Sequence, residues 1–316
     1  MTSFRSIRQR VPTLGSGIAA ITAGVLLLSL SDALVKLNNE GLSLGQVLTV
    51  RSGIAVLCLG AVLRLTTRMN MGLVRVSGWV WLRSLCLALM WVCYYAGLPE
   101  LSFSIAAACY YTSPMWMAVL SSTLLGTRIG GRGGVAILLG LAGVMTILRP
   151  GLDEVSPMIA LPLLAGFFYA LAAVITQGRC RAVPAMSMAM NLNLVLFLGG
   201  LGLVAGLWRS GQGNDAGFLL SVWPVLKLTD LGLLAGLGVL LAVITALVAY
   251  AYQRAPAPVI GLFDNGYLVF ALFWSVLIFG DRPGVIDLLG IVLIGSGALL
   301  ATTASANRGP DQSEGN

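Results

Sequence analysis

Apolar stretches of about 20 residues, the length a helix needs to cross the hydrocarbon core of a bilayer, recur from one end of this 316-residue chain to the other. No other feature limits the fold so strongly. Inside a bilayer every backbone N–H and C=O must find its partner within the protein, and a helix does this locally. Only 10% of the residues are charged, against roughly 25% in a soluble domain, so there is too little polar surface to cover a water-exposed globule. The sequence reads as an all-α integral membrane protein.

Ten transmembrane helices are predicted, over residues 17–37, 43–64, 78–98, 103–125, 133–149, 157–178, 185–208, 228–252, 257–280 and 284–303. Residues 1–16 form an N-terminal segment, and 304–316 form a polar tail expected to be disordered. The one long connection, 209–227, carries FLLSVWP, which is expected at the membrane interface. Arg5, Arg8 and Arg10 precede the first apolar run like the start of a signal sequence. No small-x-small cleavage site follows, so the run is read as an uncleaved first span.

Charge sets the orientation. Arg5, Arg8, Arg10, Arg64, Arg68, Arg75, Arg128, Arg132, Arg179, Arg181, Arg254 and Arg308 fall on one side of this scheme, with Asp311 and Glu314 as that side's acids. Lys36, Arg149, Arg209, Lys227 and Arg282 fall on the other, among most of the acids. Positive residues stay in the cytoplasm, so both termini are expected there, across a cell inner (plasma) membrane. The net charge of +7 forms no patch in a soluble segment, so no nucleic-acid partner is expected. The chain has no histidine, and its five cysteines show no metal spacing. No metal or cofactor is expected. Ser113 and Ser121 have no base nearby in sequence, and no P-loop is present; neither an enzyme nor an ATP-driven pump is read here.

The chain repeats itself. LLGTRIGGRGGVAILLGLAGV from Leu124 aligns with IFGDRPGVIDLLGIVLIGSGA from Ile278 at a constant offset. Gly126 matches Gly280, Arg128 matches Arg282, Gly130 matches Gly284 and Gly143 matches Gly297. Tyr110-Tyr111 then falls on Asp264-Asn265. Spans 1–5 (17–149) and 6–10 (157–303) read as two copies of one five-helix unit. Five is odd, so the second copy enters the membrane from the opposite side. Inverted repeats place a substrate site between the halves near the midplane and supply a mechanism for alternating access.

These residues resemble the drug/metabolite transporter superfamily, in its ten-span branch with two EamA-like domains. The resemblance rests on SDALVK in span 1, GQVLTVRSG in span 2, PELSFSIAAACYYTSPMWMAVLSSTLLGTR and APAPVIGLFDNGYLVFALFWSVLIFGDRPG. The family often has Gly-Glu-Arg after spans 4 and 9, where this chain has Gly-Thr-Arg and Gly-Asp-Arg. The resemblance implies a carrier of a small metabolite, with export the commoner direction. It does not identify the substrate, since members carry amino acids, vitamins, nucleotide-like cofactors and metal-chelating metabolites.

Ionisable residues inside spans mark function or a structural pair. Asp264, about seven residues into span 9, has three readings: a site that takes up and releases a proton, a partner for a substrate cation, or a lock between helices. Asn265 extends its polar face, and Gly266 gives the helix a place to bend. Asp32 and Lys36, four apart, share a helix face and are expected to pair, as a structural bond or an external gate. Arg51 lies deep in span 2 and is expected to meet Asp32, Asp264 or an anionic group, whereas Arg83 can snorkel to the interface. Tyr95, Tyr111 and Tyr169 are expected to line the cavity for an amphipathic substrate, and Pro114 and Pro162 to bend helices beside it. Of Asn191 and Asn193, two apart, at most one is expected to face a cavity. The GxxxG pairs Gly202–Gly206 and Gly232–Gly236 are expected to pack within the bundle, with a homodimer seam as the alternative.

The reading is a secondary transporter, with an exporter of a polar or amphipathic metabolite first and an importer of a vitamin or S-adenosylmethionine type second. A non-transporting sensor or assembly protein is the alternative of another class.

Overall fold

The computed structural model describes residues 14–66, 77–126, 131–148, 156–180, 183–214, 216–254 and 263–306. Among them there is no β-strand. Helix α1 covers Leu14–Leu37. α2 (Leu44–Gln46) runs through a π-helical turn, Val47–Arg51, into α3 (Ser52–Thr66). Then come α4 (Gly78–Gly97), α5 (Phe103–Tyr110), α6 (Ser113–Leu125) and α7 (Gly131–Leu148). A 3₁₀ turn, Pro157–Ile159, leads into α8 (Ala160–Arg179), followed by α9 (Ala185–Arg209) and α10 (Gly217–Leu220). The chain ends with α11 (Leu228–Arg254), α12 (Gly266–Phe279) and α13 (Val285–Ala306).

Six helical stretches among the described residues are long and apolar enough to cross a membrane: Gly15–Leu37, Leu44–Leu65, Gly78–Gly97, Pro157–Arg179, Met186–Arg209 and Leu228–Val248. Gly131–Thr146, Gly266–Phe279 and Val285–Leu300 are apolar but shorter. The expected fourth span is not one helix. It breaks between α5 and α6, and Pro114 supplies the reason. Proline has no N–H to return to the carbonyl of Tyr110, four residues back, and it stands where a new helix begins. The turn is closed instead by the Thr112 hydroxyl, which donates to the Cys109 carbonyl at 2.8 Å. Pro162, by contrast, lies in the first turn of α8. No N–H is needed there, and α8 runs unbroken to Arg179.

Positions paired by the expected repeat share several local features. The break at Tyr111 recurs at Asn265, where α12 begins, and those positions are equivalent in the sequence repeat. α6 and α12 both end on a glycine in the left-handed region, Gly126 at φ 69° and Gly280 at φ 66°, a conformation that glycine adopts without steric cost.

Packing repeats as well. A Cβ on Gly143 would lie 2.7 Å from the Gly290 carbonyl; one on Gly297, its repeat equivalent, would lie 2.8 Å from the Ala136 carbonyl. Gly290 and Ala136 are themselves equivalent, so each contact becomes the other when the halves are exchanged. As α7 advances from Ala136 to Gly143, its neighbours on α13 fall back from Gly297 to Gly290; the helices run antiparallel. α2–α3 and α9 behave alike, with Gly45 against Val204, Gly53 against Phe197 and Gly60 against Met190. The principal remaining pairings, α4 with α8 and α1 with α11, also exchange under the repeat.

Close approach is not made by the expected GxxxG pairs. Nothing lies within 4 Å of a Cβ at Gly202, Gly206, Gly232 or Gly236, so these face outward and packing within the bundle is not their role. The 209–227 connection folds back rather than lying wholly at the interface. Phe218 and Ser221 are buried, and Gln46 donates to the Pro224 carbonyl at 2.6 Å. Several expectations fall outside the described residues: Arg5, Arg8, Arg10, Arg68, Arg75, Arg128, Arg149, Arg181 and Arg308, the start of span 9 at 257–262, and the tail from 307.

Candidate functional site

Asp32 stands at the centre of the polar interior, 2% exposed. Its Oδ1 accepts from the Tyr95 hydroxyl at 2.9 Å and its Oδ2 from the Tyr267 hydroxyl at 2.7 Å. Each hydroxyl has one proton to give, so the order of donation is fixed. Tyr94 donates onward to Tyr267 across 3.0 Å, and Arg51 Nη1 donates to Tyr95. Two relays therefore converge on one carboxylate: Arg51 to Tyr95 to Asp32, and Tyr94 to Tyr267 to Asp32. The first lies within the N-terminal half. The second crosses between halves, because Tyr267 belongs to α12.

The Asp32–Lys36 pairing is not formed. One turn beyond Asp32, Lys36 Nζ instead donates to the carbonyls of Leu98 and Leu101, each at 2.6 Å. It also lies 5.3 Å from the centre of the Phe279 ring. Sharing a helix face brings the two side chains near each other, but each has better partners. Asp32 has two buried tyrosine hydroxyls, and Lys36 has the Leu98 carbonyl where α4 ends and the Leu101 carbonyl in the α4–α5 connection. Next to this lysine, Ser275 donates to Asp281 at 2.6 Å and accepts from the Ser104 N–H at 3.2 Å. α1, the α4–α5 connection and the end of α12 are thus tied together at one end of the bundle.

Arg51 is the last residue of the π-helical turn, a local widening that recurs at functional sites. It is 3% exposed. Its guanidinium lies 4.9 Å from the centre of the Trp91 ring and 5.8 Å from that of Tyr95. Arg83, expected to reach the interface, instead crosses to α8 and donates to Thr176 at 2.9 Å.

Asp264 sits at the break before α12, half-buried. Tyr169 neighbours its carboxylate, and its backbone carbonyl accepts from the Tyr111 hydroxyl at 2.8 Å. Asn265 makes the turn itself. Between Asp264 and Asp32 the rings are continuous. Tyr111 stacks on Tyr267 at 5.5 Å and 22°, and Tyr110 meets Tyr94, Tyr111 and Tyr169 at 5.5, 5.3 and 5.5 Å. Tyr95 and Trp91 extend the array, their centroids 5.1 Å apart.

Of the six residues expected to touch substrate, Tyr95 and Arg51 fall at the Asp32 end of this array, and Tyr111, Tyr169, Asp264 and Asn265 at the other. Tyr94, Tyr110, Tyr267 and Trp91 join them; the sequence marks them as mid-span aromatics of which about half are expected at a cavity, with Tyr95, Tyr111 and Tyr169 put first. Tyr94 and Tyr95 are adjacent, and helical geometry alone assigns them different directions; both are buried because different neighbours receive them. Asn191 and Asn193 are likewise both buried. Asn191 accepts from Ser84 at 2.6 Å, and Asn193 donates to its own helix at Ala189.

Chemically the site offers flat aromatic walls, tyrosine hydroxyl oxygens whose protons already go to Asp32, Tyr267 and the Asp264 carbonyl, and two carboxylates, one from each half. Among the described residues there is no group of three metal-ligating side chains.

A family model described as EamA-like transporter family matches residues 15–149 and 156–303. A protein of Rhizobium johnstonii named riboflavin transporter is 30% identical over 208 residues, 65% of this chain and 64% of that protein. One of Vibrio cholerae with the same name is 28% identical over 172 residues, 54% of this chain and 53% of that protein. The matches thus span less than two thirds of those two relatives. A Helicobacter pylori protein named only as an uncharacterized transporter is 24% identical over 213 residues, 67% of this chain and 69% of that one. A protein of known crystal structure superposes with a TM-score of 0.60 at 19% identity, covering 92% of this chain and 99% of that one. Identity that low speaks for the fold alone.

Proposed function

The chain belongs to the EamA-like transporter family, within the drug/metabolite transporter superfamily, and from that premise we propose that it is a secondary transporter for a flat, ring-bearing, cofactor-like metabolite. Riboflavin is the first candidate, because two relatives carry that name. The observation that carries the reading is the tyrosine array strung between Asp32 and Asp264. Stacked rings accept a planar heterocycle on their faces, and their hydroxyls can bond its polar edge. Tyr95, Tyr111 and Tyr169, with Asn265 beside them, are assigned to that contact.

The proposed architecture is ten spans in two inverted five-helix repeats, with both termini cytoplasmic in the inner membrane. The antiparallel, exchangeable contacts of α7 with α13 and of α2–α3 with α9 support it. Alternating access then follows from exchanging the conformations of the halves. The relatives' names favour the cofactor reading over export of an unrelated metabolite; direction is the first thing an assay must read. Purified protein in liposomes, given labelled riboflavin on either side, tests both. Saturable, protein-dependent flux supports the proposal. Flux no greater than in empty liposomes removes riboflavin as substrate.

Asp264 is assigned the coupling proton. It is half-buried, so it can exchange a proton with water, and the Tyr169 beside its carboxylate comes from the same half. Asp264→Asn should abolish stimulation of uptake by an imposed pH gradient while leaving riboflavin exchange measurable. Gradient-driven uptake at the wild-type rate in that variant would end the proton role, and loss of binding itself would shift Asp264 to substrate contact.

A further inference from the structure

Among the described residues, nothing uses two of the donors of Arg51. Nη1 is taken by Tyr95, and Asp32 is taken by two hydroxyls. Nε and Nη2 have no hydrogen-bond partner, although the residue is 3% exposed. Buried charged donors without partners are costly and rare. These two are not scattered, because Nε–H and the outer Nη–H of a guanidinium point the same way. They form the side-on edge of the fork, the edge that takes two adjacent acceptor atoms at once. The plane of the fork is fixed by Trp91 on one face and by the bond to Tyr95. The same guanidinium borders a cleft between Trp91 and Tyr95 on its aromatic side and Leu48, Leu196 and Leu241 on its apolar side. The space inside it is about 10 Å³, room for about one water, so the end of a ligand enters only when these walls part.

We propose that the Nε/Nη2 edge of Arg51 anchors the substrate by gripping a planar pair of adjacent hydrogen-bond acceptors. This deepens, and rests on, the transporter reading above. Two ligand types present that pair. A carboxylate does so as an anion. A neutral heterocycle does so where a ring nitrogen adjoins a carbonyl, as N1 and the C2 carbonyl of a flavin do. Trp91, stacked on the guanidinium, and Tyr95 then flank the bound edge, and the tyrosine array receives the body of the molecule.

The test is calorimetric binding to the purified full-length protein with two pairs of probes. Riboflavin is compared with 1-deazariboflavin, in which the N1 acceptor is replaced by C–H. Indole-3-carboxylate is compared with its carboxamide, in which one acceptor becomes a donor. Each pair is measured on wild type, on Arg51→Gln and on Arg51→Lys, which keeps a charge over Trp91 without the fork. Loss of one charge-assisted bond should weaken binding about tenfold or more. Riboflavin binding wild type about tenfold tighter than its deaza analogue, with the difference gone in both variants, is the expected result. If only the carboxylate pair shows that pattern, the anchor stands and the flavin reading falls. Equal binding within both pairs on wild type overturns the anchor and leaves the transporter reading intact; this comparison needs no variant to fold. Discrimination that survives in Arg51→Lys also overturns it, as does failure of both parent ligands to bind wild type.

Discussion

Asp32 accepts one hydroxyl from each half of the chain, so replacing it exposes how much the interior depends on it. Asp32→Ala would strand the Tyr95 and Tyr267 hydroxyls, two buried donors at about 1–3 kcal/mol each. Thermal unfolding in detergent should show a loss of about 2–4 kcal/mol in all, since the tyrosines can partly reorganise. Tyr94→Phe removes the outermost donor of the second relay, strands no other donor and should cost only about 1 kcal/mol. Equal destabilisation by the two would mean that the relay does not converge on this carboxylate. The individual polar residues were the easiest part of the site to find in the sequence. Asp264, Arg51 and Asp32 stand out because hydrocarbon leaves an ionised side chain so few options. Their partners were harder. The i to i+4 spacing places Asp32 over Lys36 but says nothing of Tyr267, which lies 235 residues away and wins through burial.

At the scale of elements, Lys36 ties α1 to the carbonyls that end α4, beside Phe279 at the end of α12. Lys36→Met keeps the apolar stem and removes every donor. In a cysteine-free background carrying Leu101→Cys, that change should raise labelling by a membrane-impermeant maleimide several-fold, because Leu101 is 7% exposed while the tie is in place. Unchanged labelling from both faces of the membrane would show that the lysine holds nothing shut. Helix positions were largely legible, since apolar runs of this length have few alternatives. The break inside 103–125 was only half legible. Pro114 announced a disturbance, and so did Pro162; what separates them is where each helix begins. That depends on the 3₁₀ turn before α8, which no apolar count reveals.

For the molecule as a whole, the contact of α7 with α13 is one of two, with that of α2–α3 and α9, in which positions matched by the expected repeat face each other. Gly143→Leu and Gly297→Leu would each drive a side chain into the opposite backbone, and overpacking of this kind costs about 1–3 kcal/mol. Gly202→Leu, with open space around it, should be nearly neutral in the same thermal assay. A large loss at Gly202 with little at Gly143 would reverse the assignment of inner and outer seams and point to a second copy of the chain. The expected repeat rests on a constant offset in glycine positions, and Gly143 and Gly297 are two of those positions at which helices come close. The outward direction of the GxxxG pairs was not legible, because a motif records small residues and not what faces them.

The paired interruptions at Tyr111 and Asn265 carry a mechanical consequence. A continuous helix resists flexing along its length, and forcing a bend ruptures bonds one by one. Here the ladder is already cut once in each half, at matched points on either side of the aromatic array. Bending at Tyr111 or at Asn265 therefore ruptures fewer helical bonds than bending anywhere inside α6 or α12.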